Sequence, residues 1–178
     1  MTKILLHLCC APCSPWIISE LKNKYEIVCF FYDPNIHPRA EYIFRLAEAK
    51  KMAHDLQVEF LEGEYDDRAW FLRTSGFENE AEQGMRCEIC FDMRLLRTAH
   101  EAFLRGINIF TTVIPVSPHK DFLQVQKVGQ KSAEKYDLTF LAQDWKKNSG
   151  YLQTTRLAKE MKLKRQNYCG CLYSQEKI

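Results

Sequence analysis

Seven of the eight cysteines fall into three groups: Cys9-Cys10-x-x-Cys13, Cys87-x-x-Cys90 and Cys169-x-Cys171. Thiolates at such spacings bind soft metal ions, hold iron–sulfur clusters or exchange electrons as dithiols. A structural zinc site wants four ligands, often as two close pairs. Here the groups lie far apart, and seven thiols exceed one tetrahedral site. A dithiol oxidoreductase needs one Cys-x-x-Cys at the start of a helix, and Cys10–Cys13 or Cys87–Cys90 would serve. That reading leaves the other grouped cysteines without a task. An iron–sulfur cluster draws four thiolates from separate segments and leaves three for a second metal or for redox work. Spacing alone keeps all three readings open. The eighth cysteine, Cys29, stands inside an apolar run and reads as a small buried hydrophobe.

The surroundings of the second group carry further chemistry. Cys87 and Cys90 are expected in the first turn of a helix, where free N–H groups and the dipole favour an anionic ligand set. Arg94 and Arg97 follow on the same helical face, able to neutralise thiolates or hold a phosphate, or to stand on an exposed face. Asp33 and Ser117 each follow an apolar run, as Cys9 does.

Elements that must position these residues can be read from periodicity. Lys3–Cys9, Glu26–Tyr32, Gln57–Leu61, Ile107–Val113 and Leu138–Leu141 read as strands. Helices are predicted over Pro15–Asn23, Arg39–Asp55, 65–73, Arg86–Leu104, Lys120–Lys135 and Gly150–Glu160. In the fourth of these, Ile89, Met93, Leu96, His100 and Phe103 recur at the helical period and mark its expected inner face. Residues 76–86, acidic with two glycines, read as a loop. The alternation predicts an α/β fold: a Rossmann-like three-layer arrangement with a mainly parallel sheet, one domain over residues 1–178. In such sheets the site lies beyond the carboxyl ends of the strands, which would gather Cys9, Asp33 and Ser117.

The chain has 178 residues, enough for a core without crosslinks. No signal segment or run of about 20 apolar residues is visible, so a cytoplasmic protein with no membrane partner is expected. There, grouped cysteines serve metal or redox chemistry rather than disulfides. Net charge is +2, but unevenly spread. Glu59–Glu82 holds eight acidic residues against two arginines, and Lys146–Arg165 holds seven basic residues against Glu160 alone. The basic stretch is either a phosphate-binding region or a solvated helix face.

Five motifs in order resemble one known family. They are His7-Leu8-Cys9-Cys10-Ala11-Pro12-Cys13; Phe31-Tyr32-Asp33-Pro34-Asn35-Ile36-His37-Pro38 with Glu41-Tyr42; Arg86-Cys87-x-x-Cys90-x-x-Met93-Arg94-Leu95; Thr111-Thr112 with Ser117-Pro118-His119-Lys120; and Arg165-Gln166-x-Tyr168-Cys169-Gly170-Cys171. Together they span nearly the whole chain and resemble the QueH epoxyqueuosine reductases. The resemblance implies an oxidoreductase that, without cobalamin, deoxygenates epoxyqueuosine to queuosine at the tRNA wobble position, using two electrons and two protons. It implies a 4Fe-4S cluster with an adjacent mononuclear iron, held by the seven grouped cysteines. It also implies iron acting on the epoxide oxygen, electrons from the cluster, and an unidentified electron donor.

Within that frame, Cys9, Cys13 and Asp33 are the expected catalytic residues. Proton donors are sought among Asp33, His7, His37 and His119, with His7 equally readable as a satisfied core residue. His54 and His100 read as surface or packing positions. Adjacent residues on an extended chain point apart, so Cys9 and Cys10 are assigned different roles. Cys10, Cys87, Cys90 and Cys169 are expected on the cluster, and Cys9, Cys13 and Cys171 near the second metal. Tyr32, Asn35, His37, Lys120, Arg156, Arg165 and Tyr168 are expected to contact substrate, with Tyr151 and Gln166 as further candidates. Three rivals remain. A tRNA-thiolating enzyme would need a glycine-serine-rich phosphate loop where this chain has Cys10-Ala11-Pro12-Cys13-Ser14. A thiol–disulfide oxidoreductase would work without metal. A zinc module binding RNA would be colourless and free of sulfide.

Overall fold

The computed structural model describes residues 1–175. Five strands form one wholly parallel sheet: β1 (Thr2–Leu8), β2 (Tyr25–Phe31), β3 (Glu59–Glu62), β4 (Ile109–Thr112) and β5 (Thr139–Phe140), in the order β3-β2-β1-β4-β5. Six α-helices connect them: α1 (Pro15–Lys22), α2 (Arg39–Asp55), α3 (Asp67–Thr74), α4 (Met85–Leu104), α5 (Phe122–Glu134) and α6 (Gly150–Glu160). This is the expected three-layer α/β fold. No helix among the described residues is long and apolar enough to cross a membrane.

The strand period of two explains the layers. Ile4, Leu6 and Leu8 of β1 face one side, where they join Ile17, Ile18 and Leu21 of α1 and Ala49, Met52 and Ala53 of α2. Leu5 faces the other side with Val28, Phe30 and Phe110, against Met93, Ala99 and Ala102 of α4. Both faces are covered, so the central strands are apolar throughout. Cys29 is wholly buried in the first of these cores, as its apolar surroundings imply.

Strand starts differ from the sequence expectation for a local reason. After α2 the Val58 N–H bonds back to Ala53 O, and Gln57 takes a left-handed φ of 52°. After α4 the Ile107 N–H bonds back to Ala102 O through Gly106 at φ 65°. These helix-terminal turns use the residues that the apolar pattern assigns to the next strand. The inner face of α4 is also rotated from the expected one. Cys90, Arg94, Leu95, Thr98, Ala99 and Ala102 are buried, whereas Phe103 is 55% exposed.

β1 sits between β2 and β4, which is where the strand order reverses. In-register pairing brings Leu8 opposite Phe31, and His7 opposite both Phe30 and Thr112. The segments after β1, β2 and β4 therefore leave the sheet side by side, the usual position for a site in an open parallel sheet.

Candidate metal and active site

Cys9 and Cys10 directly follow β1, and a single 3₁₀ turn over Ala11–Cys13 comes next. Pro12 sets that turn, and Ser14 Oγ donates to Cys10 O at 2.9 Å. The turn folds Cys13 back on the pair. Cys9 Sγ lies 4.0 Å from Cys10 Sγ, and Cys10 Sγ lies 3.1 Å from Cys13 Sγ. All three sulfurs fall within 4.8 Å of one another. The sequence reading separated Cys10 from Cys9 and Cys13, and the structure brings the three together at the turn that follows β1. The Cys9 thiol is held well below its usual range by hydrogen bonds from Cys10 and Cys13, with Arg94 nearby adding to the effect. Hydrogen bonding with Cys13 and Cys9, and then burial, pushes Cys10 up.

The other four thiols come from two segments far apart in the chain. Cys87 stands in the first turn of α4 and Cys90 in the second, while Cys169 and Cys171 come from the C-terminal segment. Cys169 is close enough to raise the thiol pKa of each of the other three, although burial is the larger cause in every case. Burial pushes Cys90 up to about 12 and Cys171 up to about 11. Cys171 lies in the same buried cluster as Cys90, whereas Cys9 and Cys13 pack against the cluster on the other face of the sheet. All eight cysteines are free thiols.

Between the two groups lies a buried ion pair. Arg94 Nη2 is 2.6 Å from Asp33 Oδ1, with both side chains almost wholly buried. Burial pushes Asp33 up to about 7, against the pull of Arg94. The contact is end-on: neither Asp33 oxygen nor Arg94 Nη2 has a well-directed hydrogen bond among the described residues. Arg94 is therefore no exposed-face residue. Arg97 is the outward one, pairing with Glu101 at 2.7 Å and lying over the Phe30 and Tyr32 rings.

A cavity of about 320 Å³ opens above these groups. Cys9, Cys10, Cys13 and Cys169 line it, with Arg45, Arg94, His119 and Lys120. Tyr151, Thr154, Arg165, Gln166 and Tyr168 complete much of the wall. Lys120 is held by Glu82 at 2.6 Å. Burial would lower the Lys120 ammonium's pKa, but Cys169, Glu82 and Cys87 together raise it, so the charge stays. Arg165 donates to the Tyr151 hydroxyl at 2.9 Å and lies over its ring.

Several expected site residues do not reach this cavity. Asp33 is fully buried beneath Arg94. His7 sits in the core, with Nε2 against Tyr32 O at 3.2 Å and Nδ1 against Thr112 Oγ1 at 2.8 Å. Burial lowers it to about 3, so it is a neutral, satisfied core histidine. The His37 ring stacks on Phe71 and packs against Trp70. Tyr32 stacks on Phe30 on the α4 side of the sheet, and Asn35 is 1% exposed. Arg156 lines a different cavity, described below. Of the four histidine and aspartate proton-donor candidates, only His119 is on the cavity wall.

Sequence reasoning missed Arg45. It is 2% exposed on α2, pairs with Glu41 at 2.7 Å, and donates to Cys169 O at 3.1 Å and Tyr168 O at 3.3 Å. The Tyr168 hydroxyl donates to His37 O, and the His37 N–H donates to Gly170 O at 2.8 Å. Gly170 has φ 109°, and a Cβ there would meet Ile36 at 3.0 Å. This lacing fixes the C-terminal thiols against the sheet. The hint in the sequence was an arginine in a helix otherwise facing the core at that turn. Arg86 does similar work for the acidic loop, donating to the carbonyls of Phe77, Glu78 and Glu80.

A family model described as epoxyqueuosine reductase QueH matches residues 4–177. The chain belongs to the QueH family. An epoxyqueuosine reductase QueH of Haemophilus influenzae is 39% identical over 174 residues, covering 97% of this chain and 71% of that one. The QueH protein of Thermotoga maritima is 34% identical over 177 residues, covering 98% of this chain and 91% of that one. Among solved structures, a predicted tRNA methyltransferase subunit from Methanocaldococcus jannaschii aligns with TM-score 0.61 at 13% identity, over 90% of this chain and 75% of that one. The U34-tRNA thiolase NcsA of Methanococcus maripaludis, solved with its [4Fe-4S] cluster, aligns with TM-score 0.59 at 16% identity, over 97% of this chain and 61% of that one. At these identities the two structures share the fold of this QueH protein.

Proposed function

We propose that the cavity receives the epoxyqueuosine base of a tRNA wobble nucleotide, and that the chain removes its epoxide oxygen. The reaction consumes two electrons and two protons and leaves a cyclopentene and water. The observation that carries this reading is that the three close thiols of Cys9, Cys10 and Cys13 share one cavity wall with Cys169 of the second group. A single soft ion holds thiolates at about 2.3 Å, so ligand sulfurs around it lie close together, as Cys9, Cys10 and Cys13 do. A four-iron cluster is a larger body and needs a wider set, which suits Cys87, Cys90, Cys169 and Cys171. The donor sets thus fit a mononuclear iron beside a 4Fe-4S cluster. Bound there, the two would supply Lewis acidity and single electrons.

The chain's own residues do the rest. Arg94 offsets the charge of the thiolates, and Asp33 holds Arg94 in place. His119, on the wall, is placed to hand a proton to the departing oxygen. Tyr168 and Tyr151 offer faces for a splayed base, and Arg165 and Lys120 offer cations to phosphate or ring substituents. The electron donor is a separate, unidentified partner, and a tRNA substrate places the reaction in the cytoplasm.

The test is iron and acid-labile sulfide per chain on protein prepared without oxygen, followed by turnover of epoxyqueuosine tRNA. About five irons and four sulfides are expected. Stoichiometric zinc without sulfide, even after anaerobic reconstitution, overturns the reading.

A further inference from the structure

A second cavity, of about 760 Å³, lies between α1, the segment after β5, and α6. It shares no lining residue with the first, yet one helix separates them. Tyr151, Thr154 and Thr155 of α6 face the thiol cavity, and Gln153, Arg156 and Leu157 face the second. The two sets are offset by two positions, about 200° around the helix, so they occupy opposite faces of a rod roughly 10 Å across.

The second cavity has the character of a single-strand RNA groove. Lys24, Lys147 and Arg156 line it with exposed cationic side chains, against one carboxylate, Glu20. Arg156 is 3.6 Å from Glu160, and both are well exposed, so that pair holds the guanidinium only weakly. Trp16 supplies an aromatic wall. It is half-buried and held edge to face by Trp145, at 6.1 Å and 87°, so its position is set before any ligand arrives. Fixed aromatics beside a basic track are how proteins hold unpaired nucleotides without reading sequence.

We propose that this cavity is a subsite for the RNA strand flanking the modified nucleotide, with an unpaired base against Trp16 and phosphates near Lys24, Lys147 and Arg156. This rests on the reading that the substrate is tRNA. It also gives Arg156 a role, since that residue does not reach the thiol cavity. A strand that leaves its modified base on one side of α6 passes to the other side within one or two nucleotides.

The experiment uses the metal-loaded protein and a hairpin RNA that carries the modified nucleotide in its unpaired loop. Dissociation constants are measured against salt for the natural chain, for K24E/K147E/R156E, and for Trp16→Leu. The triple variant is expected to bind at least 10-fold more weakly. Its log–log salt slope should fall by about 2, since each single-strand phosphate contact contributes about 0.7. Trp16→Leu should weaken binding by about 10-fold with the slope unchanged, because base–aromatic stacking is worth about 1–3 kcal/mol. If charge reversal unfolds the protein, K24Q/K147Q/R156Q reads the same slope. An unaltered slope in both triple variants overturns the subsite. If the natural chain binds the hairpin with this slope but does not reduce its epoxide, the reductase reading fails and the subsite stands.

Discussion

The two thiol groups are built in opposite ways. Cys9, Cys10 and Cys13 come from five consecutive residues at the end of the central strand, and one proline-containing 3₁₀ turn closes them into a group. Cys87 and Cys90 must instead meet Cys169 and Cys171 from the far end of the chain. Their meeting depends on Arg45, His37 and Gly170, none of which is a thiol. The first group is a local product of backbone geometry. The second is a tertiary product, and it should be the first to fail when packing is disturbed.

Five substitutions sharpen that contrast. Arg94→Met strikes the ion pair between the groups and is expected to cost about 4 kcal/mol, because it leaves Asp33 buried without its cation. Asp33→Asn in the same chain should restore much of the loss. Denaturant unfolding of both variants checks this, and equal stability of the two would remove the pair from the account.

Arg45→Met should separate the groups. It removes the guanidinium that donates to the carbonyl oxygens of Cys169 and Tyr168 and is expected to cost about 3 kcal/mol. Acid-labile sulfide should drop several-fold, while about one iron per chain stays on the N-terminal thiols. Parallel loss of both would mean that the groups are not independent. Gly170→Ala acts on the same lacing through a left-handed φ and a tight approach to Ile36, and about 2 kcal/mol is expected. Its sulfide loss should resemble that of Arg45→Met in kind and be smaller.

The smallest effect is one of pH. Burial holds His37 below its ordinary 6.5 in the folded chain, so the unfolded chain binds the proton more readily. The stability due to a neutral His37 is therefore complete above about 6.5 and is lost as pH falls below it. Urea midpoints of the metal-free, reduced protein should fall from pH 7 to pH 5. His37→Phe should lessen that fall and leave the share due to His7, whose folded pKa is about 3. An unchanged pH slope in His37→Phe would mean that the ring is not buried as a neutral group.

Much of this was legible without coordinates. The alternation of apolar runs with helical periods located five strands and six helices, since burial on both faces of a parallel sheet leaves a simple local signature. Errors at the strand starts came from helix-ending turns at Gln57 and Gly106, where apolar residues serve the helix they leave. The seven thiols were legible as chemistry, and the five motifs in order were legible as a family. The inner face of α4 was misread because periodicity favours Phe103, whereas the fold spends that face on Cys90 and Arg94.

The grouping of the thiols was not legible. Strand alternation assigned Cys9 and Cys10 different roles, whereas the turn after β1 brings both sulfurs close to that of Cys13. Nor could sequence place Arg45 under Cys169, or Arg156 on the side of α6 away from the thiol cavity. By itself the sequence determined which groups this protein has for chemistry and which local elements carry them, because propensity and burial act over a few residues. Which thiols meet, and which cation stands between them, was decided only by the tertiary structure. Those contacts join segments such as Arg45 and Cys169, 124 residues apart, or His37 and Tyr168, 131 apart, and the packing of the whole sheet sets their distances.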